Sequence, residues 1–148
     1  KDITYDNDGV GGYIDGYIVG AIPFLNGGSP LTSQKPIFQN GKPQGENYFN
    51  LKTECYYLSG DKVSLGKYKV SEYVANMMYD EKMTVRQRFM LERKAIKRDK
   101  VDMDGKLRII GKDEMKAKLN GQSPDLMDMF MMRERFNVGT IQSWTSAW

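Results

Sequence analysis

The chain has 148 residues and 17.0 kDa, 22 basic against 19 acidic side chains, and a mean hydropathy of −0.59. That length predicts one domain burying roughly two-thirds of its unfolded surface, and no apolar run approaches the ~20 residues that a bilayer crossing demands. One cysteine, Cys55, and no histidine exclude an internal disulfide, Cys/His zinc sites and Ser-His or Cys-His catalytic pairs, so any chemistry must rest on carboxylates, amines or hydroxyls.

A net charge of +3 permits a polyanionic partner without requiring one. Its distribution is uneven. Asp2, Asp6, Asp8 and Asp15 face Lys1 alone at the start, whereas Arg86, Arg88, Arg93, Lys94, Lys97, Arg98 and Lys100 face only Glu92 and Asp99 in the middle. The start lacks a basic-then-apolar signal pattern and an initiator methionine, which reads as a piece of a longer polypeptide.

Ile3-Thr4-Tyr5 has strand character and runs into the turn-forming Asp6-Asn7-Asp8-Gly9. Tyr13, Ile14, Tyr17 and Ile18 predict a helix with one apolar face, and Val19 to Phe24 a second strand, together a parallel βαβ unit. Seven Gly and Pro residues over 26–47 predict a long functional loop or flap. Tyr48, Leu51, Cys55 and Leu58 predict an amphipathic helix closed by Ser59-Gly60. Ser71 is expected to cap a helix burying Tyr73, Val74, Met77 and Met78, and Thr84 to cap a basic helix burying Val85, Phe89 and Met90. Ala95–Asp102 and Lys106–Ile110 flank Asp104-Gly105 and predict an antiparallel ribbon. A helix over Lys112 to Leu119 follows. Ser123-Pro124 then supplies an N-cap and first-turn proline for a helix from Asp125 to about Phe136, apolar almost all round and therefore central. The methionines 77–78 and 127–132 read as core filler. No internal repeats are present.

Two readings stand for Asp6: a carboxylate at the end of a parallel strand, where α/β sites gather and a divalent cation can be held, or an Asx-turn. Asp125, at a helix N-terminus whose dipole favours the charged form by about 0.3–1 kcal/mol, and Asp128 one turn later are either cation ligands or ordinary first-turn acids. Asp6-Asn7-Asp8-Gly9 and Asp102-Met103-Asp104-Gly105 lack the third ligand and closing glutamate of a calcium loop. Gly9-Val10-Gly11 has Ile14 where a dinucleotide fingerprint needs its third glycine. Arg86, Arg93, Lys97, Arg98, Lys100, Lys106 and Arg108 are either a phosphate-backbone track or a solvated face.

Taken in order, Asp6-x-x-Gly9-x-Gly11 after a strand, Ile22-Pro23-Phe24 before a Gly/Ser loop, Tyr48-Phe49-Asn50-Leu51-Lys52-Thr53-Glu54, Gly105-Lys106-Leu107-Arg108-Ile109, Lys112-Asp113-Glu114-Met115-Lys116 and Ser123-Pro124-Asp125-Leu126-Met127-Asp128 resemble the C-terminal nuclease domain of the phage terminase large subunit over roughly residues 3–132. The resemblance implies an α/β, ribonuclease-H-like mixed sheet flanked by helices, lacking its first strands and carrying an added β-hairpin, with the domain over 1–136 and a tail over 137–148. It implies a metal-dependent endonuclease cutting concatemeric double-stranded DNA with two Mg²⁺ or Mn²⁺ ions. Asp6 matches the second acid of that family and Asp125 the third, with Asp128 beside it, and the first acid has no counterpart. Implied partners are DNA, the portal protein, the small terminase subunit and an ATPase domain of the same parent chain, in the host bacterial cytoplasm at the procapsid portal and not at a membrane. The alternatives are a non-catalytic DNA-binding or portal-docking piece, and a resolvase or integrase on the same fold.

Overall fold

A computed structural model describes residues 3–8, 10–32, 38–39, 42–43, 47–99 and 105–138. Two short strands open it, β1 (Thr4–Asp6) and β2 (Ile22–Phe24), paired in parallel with Thr4 opposite Ile22 and Asp6 opposite Phe24. The Thr4 hydroxyl donates to the Ile22 carbonyl at 2.9 Å and reinforces that register. The crossover between the strands is a 3-10 helix, Val10–Gly16, not the amphipathic α-helix the spacing predicts. Gly11, Gly12 and Gly16 disfavour an α-helix, and three residues per turn do not stack positions four apart. Tyr13 and Tyr17 therefore project into solvent, Tyr17 at 88% exposure.

Within the Gly/Pro-rich loop, β3 (Phe38–Gln39) and β4 (Lys42–Pro43) form a minimal antiparallel pair. Helix α1 (Leu51–Ser64) starts where Asn50, in extended backbone, accepts the Thr53 N–H at 2.9 Å. It runs straight through Ser59-Gly60, where the sequence predicts its end. The stop lies at Gly66, in the left-handed region at φ 64°. There the N–H groups of Gly66 and Lys67 return to the carbonyls of Val63 and Lys62 at 3.1 and 2.8 Å, satisfying the last turn's orphan acceptors as a Schellman motif does.

Helix α2 (Glu72–Asn76) is capped by the Ser71 hydroxyl as expected. Five residues are too few to build a buried stripe, so Tyr73, Val74, Met77 and Met78 are exposed and only Ala75 is buried; Met77 and Met78 are not core filler. Helix α3 (Val85–Ala95) carries a reciprocal Thr84–Gln87 capping box. Its buried face is Arg88, Glu92 and Ala95, while Met90 is exposed and Phe89 packs at the core margin. Arg98 and Ile109 bridge antiparallel, with Asp99 N–H and Ile110 N–H donating to Arg108 and Lys97 carbonyls at 3.0 Å each. The predicted ribbon thus forms at its base; its turn at 102–104, like Lys100, lies outside the described residues.

Helix α4 (Lys112–Lys118) ends in a turn through Asn120 and Gly121, both at positive φ. Helix α5 (Asp125–Met132) is followed by a turn and α6 (Arg135–Val138), so the predicted single helix is broken. Residues 139–148, most of the predicted tail with Trp144 and Trp148, lie outside the described residues. Helix α5 packs against α1 and α3. Met127 and Met131 join Phe24, Leu51, Cys55 and Tyr56 in the core, whereas Met129 is 53% exposed, so α5 has an open side as well as a buried one. No helix among the described residues is long and apolar enough to cross a membrane.

Three buried carboxylates tie these helices together. Glu54 on α1 accepts the N–H groups of Leu31 and Thr32 at 2.7 and 3.0 Å, pinning the loop after β2. Glu134 accepts from Lys62 at 2.6 Å and from the Tyr68 hydroxyl. Glu92 takes Arg88 Nε at 2.6 Å on one oxygen and the Met127 N–H at 2.9 Å on the other. Ser123 is thus not the N-cap of α5. The cap position is Pro124, which has no side-chain acceptor, and Glu92 of α3 supplies the carboxylate that an N-terminus favours. The Ser123 carbonyl instead accepts Arg88 Nη2 at 2.8 Å.

Candidate metal-binding and nucleic-acid site

Asp6 ends β1, beyond which the chain turns away from the sheet. Its Oδ1 accepts the Asp8 N–H at 3.0 Å, which realises the Asx-turn reading, and also the Asn26 side-chain amide at 3.0 Å. Asp8 Oδ2 holds the same amide at 2.7 Å and the Asn26 backbone N–H at 3.2 Å. One asparagine on the turn after β2 therefore fixes both aspartates. Among the described residues these bonds fall on Oδ1 of Asp6, and Asp6 and Asp8 together line a cavity of about 550 Å³. The two readings of Asp6 are compatible.

Asp128 enters the same cavity from α5. Its Oδ1 accepts the Tyr56 hydroxyl and lies 3.2 Å from Lys52 Nζ, both from α1. Burial, and then the negative charge of Asp128, raises the Tyr56 phenol above its ordinary value. Tyr56 therefore stays protonated and serves as a donor. Asp125, one turn earlier, is exposed and lies outside the cavity lining. Successive acids three apart on a helix are near neighbours; of the two, Asp128 is half-buried and lines the cavity, while Asp125 is exposed beside it.

Lys112 and Arg108 complete the rim, with the Arg108 guanidinium 3.5 Å over the Phe49 ring. The parallel bridge of Tyr48 to Leu107 brings Phe49 and Arg108 together. Lys52 and Lys112 each lie within a resemblance motif but carry no role in the sequence reading, and the fold brings both to the cavity lining.

Arg93, Lys97 and Arg98 line a neighbouring groove of about 550 Å³ together with Lys94 and Tyr57, and Ile109 belongs to both concavities. The Tyr57 hydroxyl is buried with no hydrogen-bond partner among the described residues. Burial raises its pKa while the positive charge of Arg98 opposes that shift. Arg86 is exposed and Lys106 half-buried, and neither lines these concavities. Arg88 belongs to no cationic surface: it is 1% exposed and ion-paired.

The donors present are carboxylate oxygens, the set that hard divalent cations take. Among the described residues no three acidic or sulfur side chains gather into one metal cluster. A Mg²⁺-like ion commonly uses one or two carboxylates and completes its shell with water and phosphate oxygens, so Asp6 and Asp128 fit such an ion in kind.

No protein-family model matches the chain, and no curated protein matches it. Solved structures do. The nuclease domain of the large terminase subunit gp2 of bacterial virus Sf6 superposes with a TM-score of 0.67 at 27% identity, over 88% of this chain and 63% of that one. A point mutant of the same domain with manganese gives 0.65 at 25% identity, over 88% and 64%. The mutant with manganese and beta-thujaplicinol gives 0.67 at 25% identity, over 88% and 63%. This chain thus spans a little under two-thirds of the domain it matches. The parallel strand pair and its helices are the corresponding portion of the ribonuclease-H-like fold of the phage terminase nuclease domain.

Proposed function

We propose that this chain is part of a divalent-metal-dependent endonuclease of a viral DNA-packaging terminase large subunit, hydrolysing phosphodiesters of concatemeric double-stranded DNA. The observation that carries this reading is that Asp6, from the end of β1, and Asp128, from α5, line one cavity together with Lys52, Arg108 and Lys112. Related solved structures were obtained with manganese and with calcium. Mg²⁺ or Mn²⁺, two ions in the pattern the resemblance implies, would supply Lewis acidity and charge neutralisation at the scissile phosphate.

The chain's own residues do the rest. Asn26 and the Asp8 amide fix the Asp6 carboxylate on Oδ1. Tyr56 and Lys52 fix Asp128 on Oδ1. Lys112 and Arg108 oppose the phosphate charge at the rim, and the adjoining Arg93–Lys97–Arg98 groove follows the backbone with a salt-dependent affinity. Lys106 and Arg86 extend the positive surface. The portal protein, the small terminase subunit and an ATPase domain are the proposed partners, in the host cytoplasm at the procapsid portal.

A second reading, a DNA-binding or portal-docking module without activity of its own, draws on one observation: the described residues assemble no three-acid cluster. Nicking of supercoiled plasmid with Mg²⁺ or Mn²⁺ separates the two. Asp6→Asn and Asp128→Asn are expected to abolish nicking with the fold intact by circular dichroism. Metal-dependent nicking that survives both substitutions would overturn the site, and no nicking by the parent chain would favour the module. Asp125→Ala is the internal comparison: unchanged nicking assigns the α5 carboxylate to Asp128, and loss assigns it to Asp125.

A further inference from the structure

A second concentration of positive charge lies elsewhere. Lys62, Lys67, Lys69 and Arg133, with Tyr68 and Phe136, line a concavity of about 840 Å³ that shares no lining residue with the carboxylate cavity or the Arg93–Arg98 groove. Its cations come from separate stretches of chain. Lys67 and Lys69 stand on the segment that Gly66 turns out of α1, and Arg133 follows α5.

Among the described residues the charge of Lys67, Lys69 and Arg133 is uncompensated. Glu134, fully buried, is neutralised by Lys62 at 2.6 Å and also accepts from Tyr68 and from the Asn137 amide. No ion pair among the described residues involves Lys67, Lys69 or Arg133. Tyr68, held by Glu134, sets the spacing of the two lysines on either side of it, and the Arg133 guanidinium lies 5.9 Å from its ring. Like charges gathered in one concavity repel, and a polyanion relieves that repulsion while releasing counterions.

We propose that this concavity is a second contact for the sugar-phosphate backbone of double-stranded DNA, separate from the one beside the carboxylates. Exposed, flexible lysines that do not form a closed donor set suit successive phosphates of a polymer better than one small anion. The assignment of DNA rests on the function proposed above.

The test is equilibrium binding of a labelled random-sequence duplex to the full chain in EDTA, which separates binding from cleavage, across a range of salt. Each lost phosphate contact lowers the slope of log K against log salt by about 0.9. Lys67→Gln with Lys69→Gln should flatten the slope by about 1.8, and adding Arg133→Gln by about 2.7. All three side chains are exposed, and unchanged circular dichroism and thermal midpoints exclude misfolding.

A parent-like slope in the triple variant, with flattening only in Lys97→Ala with Arg98→Ala, overturns this contact and leaves the proposed function standing. A parent chain without affinity for DNA overturns both. Saturation of the concavity by inorganic phosphate, with the DNA slope unchanged in the variants, would make it a small-anion site and overturn the proposal.

Discussion

The two walls of the carboxylate cavity are built by opposite means. On the α5 wall, Asp128 rides on a helix whose N-terminus is capped from below by Glu92, itself paired with a 1%-exposed Arg88. On the strand wall, Asp6 and Asp8 are held by a single asparagine amide at the surface of a two-stranded sheet. One wall is fixed by the core and the other by local hydrogen bonds, so stability and site geometry can be perturbed separately.

The largest expected effect tests the first wall. Glu92→Ala leaves the Arg88 guanidinium buried without its carboxylate and exposes the α5 N-terminus to no acceptor. A loss of about 3–5 kcal/mol is expected from breaking such a pair on one side, measured by urea unfolding. A loss under about 1 kcal/mol would show that α5 does not depend on this network, and the contrast between the walls would go with it.

Tyr56→Phe removes the hydroxyl that joins α1 to Asp128, and about 0.5–1.5 kcal/mol should go with it near neutral pH. Its pH dependence is signed. Folding holds the phenol protonated above its ordinary value of about 10, whereas in the unfolded chain it ionises there. The unfolded state therefore binds fewer protons above that pH, and stability, complete below it, falls as pH rises. In the Phe variant that alkaline fall should be shallower by up to about 1.4 kcal/mol per pH unit; an identical slope would mean Tyr56 is accessible to ionisation in the fold.

Asn26→Ala addresses the other wall. Stability should fall by about 0.5–1.5 kcal/mol, the net worth of a hydrogen bond, at this half-buried position, while nicking falls by about 10- to 100-fold, the usual cost of losing a group that orients a metal-binding carboxylate. Stability lost without a change in nicking would reverse the assigned roles of the two walls.

Local signals were legible wherever they were complete within a few residues. Thr84, Ser71 and the strand character of Ile3-Thr4-Tyr5 each mark an element that is there. They failed where a neighbour took over the role. Gly60 does not stop α1, because the helix is held on the core by Cys55 and Tyr56 and a better stop exists at Gly66. Ser123 does not cap α5, because Glu92 from another helix does. Arg88 reads as surface charge until its buried partner is seen.

Of the site, the sequence by itself bounded the chemistry: with no histidine and one cysteine, carboxylates, amines and hydroxyls were left to act, and Asp6 could be placed at a strand's end from its own neighbours. Which α5 acid lines the cavity with Asp6, which lysines line it with them, and which cations gather beside Tyr68 were decided by tertiary structure alone. A helix's rotation about its axis is set by the side chains it buries, here Met127 and Met131 against α1 and α3, and residues 122 positions apart in sequence come to line one cavity only after that burial has fixed the angle.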